Sequence, residues 1–344
     1  MKKLLSFSLI MIVTVMTCII EVNADYDIKG DLRYRFEDRN SDSTDISDKS
    51  RERIRARIGV YGDVTETMSF GTRLASGGDS PISTNQDIDG SASTKGINLD
   101  LAYFTIDSLL GDSSKTTFGK MKQPWKTVSD LVFDTDVNPE GISASFSREI
   151  STGWPSYNPF ELHYQLGHFT LGEAKGDDAR LGSAQIVLEN DAGLVFGVSY
   201  YEFSNMENAS LNNKSDAGLS NTISEYSLLE SFAKMNLNDN TKIFVNYVAN
   251  RDADDNDTAY MIGIGTKQGD WAFDYNYREV ELDAIYDEWA DSDFHDGGTG
   301  GSGHKFKVKR SLAKNLSAGA TYFLTETESG DAVNTLQLDL VSKF

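Results

Sequence analysis

The densest chemistry in the chain is basic. Arg51, Arg53, Arg55 and Arg57 occupy every second position, and Lys29, Arg33 and Arg35 keep the same spacing upstream. An arginine-rich run can mark a nucleic-acid patch. A spacing of two, however, puts all of these cations on one side of an extended strand. The chain carries 32 Lys and Arg against 53 Asp and Glu, a net charge of −21, so it has no general attraction for phosphate backbones and no nucleic-acid partner is expected. Arg73, Lys305, Lys307 and Lys309 extend the basic set.

Other groups that could do chemistry read less sharply. Asp-Ala-Asp-Asp-Asn-Asp at 252–257 invites calcium, but an EF-hand needs Gly where Asp257 stands and Glu where Gly263 stands, so a solvated acidic loop is expected and no metal site. The glycine-rich 297–303 lacks the Lys-Ser/Thr and the helix of a phosphate loop, and reads as a flexible extracellular loop. His163, His168, His295 and His304 have no neighbouring Ser or carboxylate pattern that specifies nucleophilic catalysis, so no catalytic residue and no enzyme are expected. One Cys excludes a disulfide scaffold, a thiolate zinc site and an iron–sulfur cluster, and nothing calls for a cofactor.

The elements that must position these residues are strands. From Ile28 to Glu37, Ile28, Leu32, Tyr34 and Phe36 share one parity and Lys29, Asp31, Arg33, Arg35 and Glu37 the other. Ile54, Ala56, Ile58 and Val60 alternate with Arg53, Arg55 and Arg57 in the same way. Continued along the chain, the pattern predicts sixteen strands at 28–38, 51–62, 68–75, 97–106, 115–121, 141–148, 160–168, 180–188, 193–203, 225–237, 242–250, 259–266, 271–280, 304–310, 316–325 and 334–344. Parity is ambiguous around Phe104, Lys120 and Phe232, where a bulge could shift it. Long polar connections alternate with mostly shorter ones, and both ends of the strand series fall on the side of the shorter ones. An even strand number with long loops on one side describes a transmembrane antiparallel β-barrel, an all-β fold. A soluble propeller would need about twice as many strands and a recurring motif.

The two ends carry addresses. Lys2 and Lys3 precede an apolar run, and Val22-Asn23-Ala24 offers small residues for cleavage, so 1–24 is expected to be a cleaved signal peptide and 25–344 the outer-membrane barrel domain. At the other end Leu336, Leu338, Leu340 and the terminal Phe344 share one parity. A terminal aromatic on an amphipathic last strand looks like the assembly signal read by the barrel-assembly machinery of Gram-negative bacteria.

The chain resembles the putative porin family of Gram-negative bacteria. The residues that carry the resemblance are Leu32-Arg33-Tyr34-Arg35 with the Arg-rich 51–57, Ala102-Tyr103, the segment 271–277, Asp291-Ser292-Asp293-Phe294, Gly297-Gly298-Thr299 and Gly303-His304. The resemblance implies a barrel of sixteen or a similar number of strands in the outer membrane, in contact with lipid and lipopolysaccharide, that passes small hydrophilic solutes and can form a homotrimer. It implies no named substrate.

On a closed barrel the basic stripe is expected to line the pore. Each Arg or Lys facing lipid at mid-membrane would cost roughly 2–4 kcal/mol, so Lys29, Arg33, Arg35, Arg53, Arg55, Arg57, Arg73, Lys305, Lys307 and Lys309 should face water. They could also pair with lumenal Asp31, Glu37, Asp100 and Asp339, and both readings can hold. The third long loop, 122–140, carries Trp125, Asp130, Asp134, Asp136 and Glu140. In general porins the corresponding loop folds inward and sets acids against a basic wall, which makes this loop the candidate constriction. The acidic excess is expected mainly in loops exposed to bulk water, 252–257 and 283–296. The function expected is a passive diffusion channel; the alternative is a surface adhesin or structural barrel acting through its loops.

Overall fold

A computed structural model describes residues 26–151, 159–209 and 221–344, so the expected leader at 1–24 lies outside the described residues. Its strands are β1 (Tyr26–Ser41), β2 (Lys49–Thr65), β3 (Met68–Ser76), β4 (Gln86–Asp87), β5 (Ile97–Asp107), β6 (Ser114–Lys120), β7 (Glu140–Ile150), β8 (Phe160–Gly172), β9 (Ala179–Asn190), β10 (Val195–Ser204), β11 (Tyr226–Asn238), β12 (Thr241–Asn250), β13 (Thr258–Gln268), β14 (Trp271–Val280), β15 (Gly301–Ala313), β16 (Leu316–Thr327) and β17 (Ala332–Lys343). β4 is a two-residue piece that pairs only with Arg53 and Ile54 of β2. The other sixteen form one antiparallel ring, closed where β1 pairs with β17 from Asp31↔Lys343 to Ser41↔Val333. Closure is what a bilayer demands, because an open edge would leave unpaired backbone groups in hydrocarbon. The last residue completes the seam: Gly30 N donates to Phe344 O at 2.9 Å and Phe344 N to Gly30 O at 3.1 Å.

The alternation of the sequence becomes two faces. Leu32, Ile58, Leu166, Ile186, Val198, Ile262, Phe273, Leu338 and Leu340 stand exposed on the outside, a band of apolar surface that water would penalise and lipid would not. Tight connections join strands on one side, such as Gly269-Asp270 between β13 and β14, where Gly269 takes a left-handed φ of +58°. No register shift falls at Phe104, Lys120 or Phe232. The bulge lies at Asp100, where Leu99 pairs with Leu74 and Leu101 with Arg73. The extra residue reverses the parity of β5, so that Asp100 and Leu101 both face inward, and Asp100 forms an ion pair with Arg73.

Candidate pore lumen

The inward faces of β1, β2 and β3 build a ladder of arginines, and carboxylates oppose most of its rungs. Arg55 and Arg57 both reach Asp31, at 2.8 and 2.7 Å. Arg51 pairs with Glu37 at 2.5 Å, and Arg53 with Asp87 of β4 at 2.8 Å. Arg35 is held by Asp339 of β17 at 2.7 Å and by Asp293 at 3.1 Å. Arg33 is bonded to the amide of Asn85 instead of to a carboxylate. At the tight-turn end Lys29 is exposed and pairs with Asp27 at 2.8 Å. Lys307 and Lys309 are exposed on β15, whereas Lys305 reaches Asp130 at 3.0 Å. Much of the wall's positive charge is therefore neutralised locally, and what remains acts as a pattern of dipoles.

The connection 121–139 leaves the wall early, because β6 is only 7 residues long, and its side chains meet inward residues on widely separated strands. Asp136 pairs with Arg57 of β2 at 3.3 Å, Gln185 of β9 accepts from Lys126 N at 2.8 Å, Asn246 of β12 donates to Ser129 at 2.9 Å, and Asp130 pairs with Arg278 of β14 at 2.8 Å. A segment that reaches strands all round the ring must cross the lumen. Burial opposes ionisation of Asp130, but Arg278 and Lys305 outweigh it and hold its pKa below the usual value. Asp134 takes backbone donors from Asp136 N at 2.7 Å and Ser292 N at 3.1 Å; burial, then the carboxylates of Asp291 and Asp136, push its pKa well up. Trp125 is buried against Phe133, Phe169 and Tyr201 and anchors the loop. Glu140 opens β7 and pairs with Lys120 at 2.8 Å.

The second inward segment overturns an expectation. The acidic stretch 283–296 was expected in bulk water and 297–303 as a flexible loop; instead Ala284, Ile285, Tyr286, Trp289, Asp291, Phe294, His295 and Thr299 are buried. Alternation could not reveal this, because the segment buries its apolar residues against other loops and not against a sheet face. Tyr286 and Trp289 join Phe133, Phe203 and Tyr226 in a continuous aromatic cluster, with centroids 5.4–5.7 Å apart for the pairs Phe203–Tyr286, Tyr226–Tyr286 and Phe133–Trp289. Offset and edge-on pairs of this kind add about 0.5–1.5 kcal/mol each beyond burial. The loop at 252–257 remains largely exposed, as its composition indicates.

Arg278 and Arg39 escaped the sequence reading because each is a single wall cation whose acidic partner lies in a distant loop, and Lys126 because it is a single loop cation whose partners, His163 and Glu189, lie on β8 and β9. Arg39 donates to Ser47 O at 2.9 Å and is ion-paired with Asp296. Glu161, His163 and Glu189 bring potential metal ligands within 4.8 Å of one another. The Lys126 ammonium stands among them, 2.5 Å from Glu189 and 3.0 Å from His163, and supplies the positive charge.

His295 is fully buried and its two ring nitrogens have no hydrogen-bond partner. Burial, helped by the like charge of Arg278 and partly opposed by the backbone, holds its pKa at about 4. An undocked loop would take up a proton near pH 6.5 that the docked loop refuses, so this residue weakens docking as pH falls from there toward about 4. Asp134 works in the opposite direction, since its raised pKa favours docking on the acid side. A His295→Leu variant should therefore lose less loop protection from proteolysis between those pH values than the parent chain. Equal losses would show that the imidazole does not titrate on undocking.

A family model described as putative porin matches residues 26–267 and 225–344. No curated protein matches the chain in sequence. Among solved structures, the high-pH structure of Pseudomonas putida OprB is 10% identical with a TM-score of 0.62, over 93% of this chain and 94% of that one. An engineered mutant of the Rhodopseudomonas blastica porin is 10% identical with a TM-score of 0.55, over 93% of this chain and 100% of that one. At such identities the likeness concerns the fold.

Proposed function

Because the chain belongs to the putative porin family, an outer-membrane porin family by fold and membership, we propose that it is a passive diffusion channel whose selectivity is set where the arginine ladder faces the inward loops. The observation that supports this most directly is the pairing of an apolar exterior with a wall of Arg33, Arg35, Arg53, Arg55, Arg57 and Arg73 around the crossing segment 121–139. Family and fold support the reading of a membrane channel for small solutes over that of an enzyme. In this reading 1–24 directs export and is removed, the last strand with Phe344 is recognised by the barrel-assembly machinery, lipopolysaccharide borders the long loops, and homotrimers form in the membrane.

The test is conductance in planar bilayers. The wild-type pore should show modest anion preference or near neutrality, because the exposed acidic loop 252–257 is screened within ~8 Å in bulk water, while in the narrow channel Asp31, Asp87, Asp136 and Asp339 offset most of the charge of the arginine wall. Replacing Arg53, Arg55 and Arg57 together by Gln leaves Asp31 and Asp136 without these partners. The reversal potential in a salt gradient should then move toward cation preference. An unchanged value would mean that neither these side chains nor the carboxylates they hold face the path, and the absence of any current would leave the adhesin reading in its place.

A further inference from the structure

The filled lumen leaves limited room for a solute. The aromatic cluster closes the side of β8, β10 and β11. On the side of β14, β15 and β1, Arg278, Lys305 and Arg35 are locked to Asp130, Asp291 and Asp293. Among the described residues, two cavities lie against all four of β3, β5, β6 and β7, one above and one below the crossing segment. The upper, about 830 Å³, takes Ala75, Asn98, Lys120 and Glu140 from those strands and Asp136 and Asn138 from the segment. The lower, about 480 Å³, takes Ser69, Thr105, Thr117 and Ser143 from the same strands and Met121 and Lys122 from the segment. Carboxylates of the lower cavity, Asp63, Glu66 and Asp107, lie at the strand ends by the tight turns.

The charges at this crossing are unlike those of an acidic loop facing a basic wall. Asp130 and Asp136 are consumed by Arg278, Lys305 and Arg57, and Asp134 by backbone amides. Arg73 is matched by Asp100. Lys122 is exposed, lines the lower cavity, and has no ion-pair partner among the described residues. Asp100 is near enough to steady it, but Arg73 and Arg57 add like charge on the same side.

We infer that the conduction path runs between these two cavities and that Lys122, backed by Arg73 and ringed by hydroxyls of Tyr103, Thr105, Thr117 and Ser143, forms a transient binding step for small oxyanions such as a carboxylate or phosphate. The loop thus adds an unpaired selecting cation to the paired charges of the arginine ladder. This inference rests on the channel reading of the previous subsection.

The full-length protein, inserted in planar bilayers, tests it with Lys122→Gln, Lys122→Arg and Lys115→Gln. Lys115 lines the same cavity nearer the tight turns, so its variant removes one charge without touching the crossing. Lys122→Gln should lower the chloride-to-potassium permeability ratio roughly twofold or more and abolish the reduction of chloride current by added inorganic phosphate. Lys122→Arg should keep both properties, and Lys115→Gln should shift the ratio less and keep the phosphate effect. Acetate in place of phosphate shows whether the step serves carboxylates too. Equal shifts for the two Gln variants, or phosphate sensitivity that survives Lys122→Gln, would overturn the assignment. A wild-type protein with no current would overturn the channel reading itself.

Discussion

Replacing Arg278 by Met is expected to unlock both inward segments and turn a quiet pore into a noisy, wider one. The guanidinium is almost fully buried on β14, with Nη2 donating to Asp130 at 2.8 Å, Nη1 donating to Asp291 at 3.0 Å, and its plane 4.6 Å from the Phe294 ring. One side chain therefore ties the segment 121–139 to the connection between β14 and β15. Its loss leaves buried Asp291 and half-buried Asp130 sharing Lys305 alone. Breaking a buried pair from one side costs about 3–5 kcal/mol, enough to release a loop without unfolding a ring of paired strands. Single-channel recordings should show larger mean conductance and frequent transitions, and protease should cut within 121–139 or 281–300 while the barrel keeps its resistance to SDS. Adding Asp130→Asn and Asp291→Asn to Arg278→Met should recover much of the quiet state, because the stranded charges go with the cation. An unaltered trace from Arg278→Met would show that the aromatic cluster holds the loops unaided.

The wall was legible because a membrane barrel writes itself in period two. Each strand has one face in lipid and one facing the interior, so Leu32, Tyr34, Ile54 and Ile58 had to separate from Arg33, Arg35, Arg53 and Arg57 along the chain itself. The same logic found the inward side of the arginines, and it found Asp31, Glu37, Asp100 and Asp339 as their partners, since cross-strand neighbours on one face are fixed by register. Leu101 shows where the reading frays: alternation from inward-facing Asp100 would set it outside, but the bulge on β5 turns it in, where it is fully buried, and nothing in the local pattern marks the position.

The interior was less legible for a different reason. Loop segments have no period, and the burial of Ala284, Ile285, Tyr286 and Trp289 depends on Phe133, Phe203 and Tyr226, which lie about 60 to 150 positions away in the chain, while Phe294 packs against Arg278 of the wall. The acidic residues of 283–296 looked like solvated charge because their partners, Arg35, Arg39, Arg278 and Lys305, are supplied by the wall. A density of aromatics inside an acidic loop was the available signal, since Tyr286, Trp289 and Phe294 have no reason to cluster in water.

Deleting Phe344 is expected to deplete the protein from the outer membrane, and the seam gives this a structural basis beyond the parity of the last strand. Phe344 makes the final backbone pair across the closure, two hydrogen bonds with Gly30, and its ring covers Gly30 so closely that a Cβ there would lie 2.5 Å from the ring, and closer still to the backbone oxygen of Arg57. Glycine at 30 is thus the complement of the terminal aromatic, since it leaves space on the lipid face for the ring to lie across the first strand. Closing β1 against β17 brings together residues some three hundred positions apart, so it must come late, and the contact at its lower end can act as a latch. Without Phe344 the β1 edge loses its last partner at the level of Gly30, where unpaired backbone groups are costly in hydrocarbon. Immunoblots of outer-membrane fractions should show a several-fold loss with aggregate in the periplasm. Gly30→Val should reproduce part of the defect by displacing the ring and crowding the Arg57 carbonyl of β2 with the C-terminus intact. Full insertion of the truncated chain would dismiss both the latch and the signal; a defect on deletion with normal insertion of Gly30→Val would leave recognition by the assembly machinery as the whole of the role of Phe344.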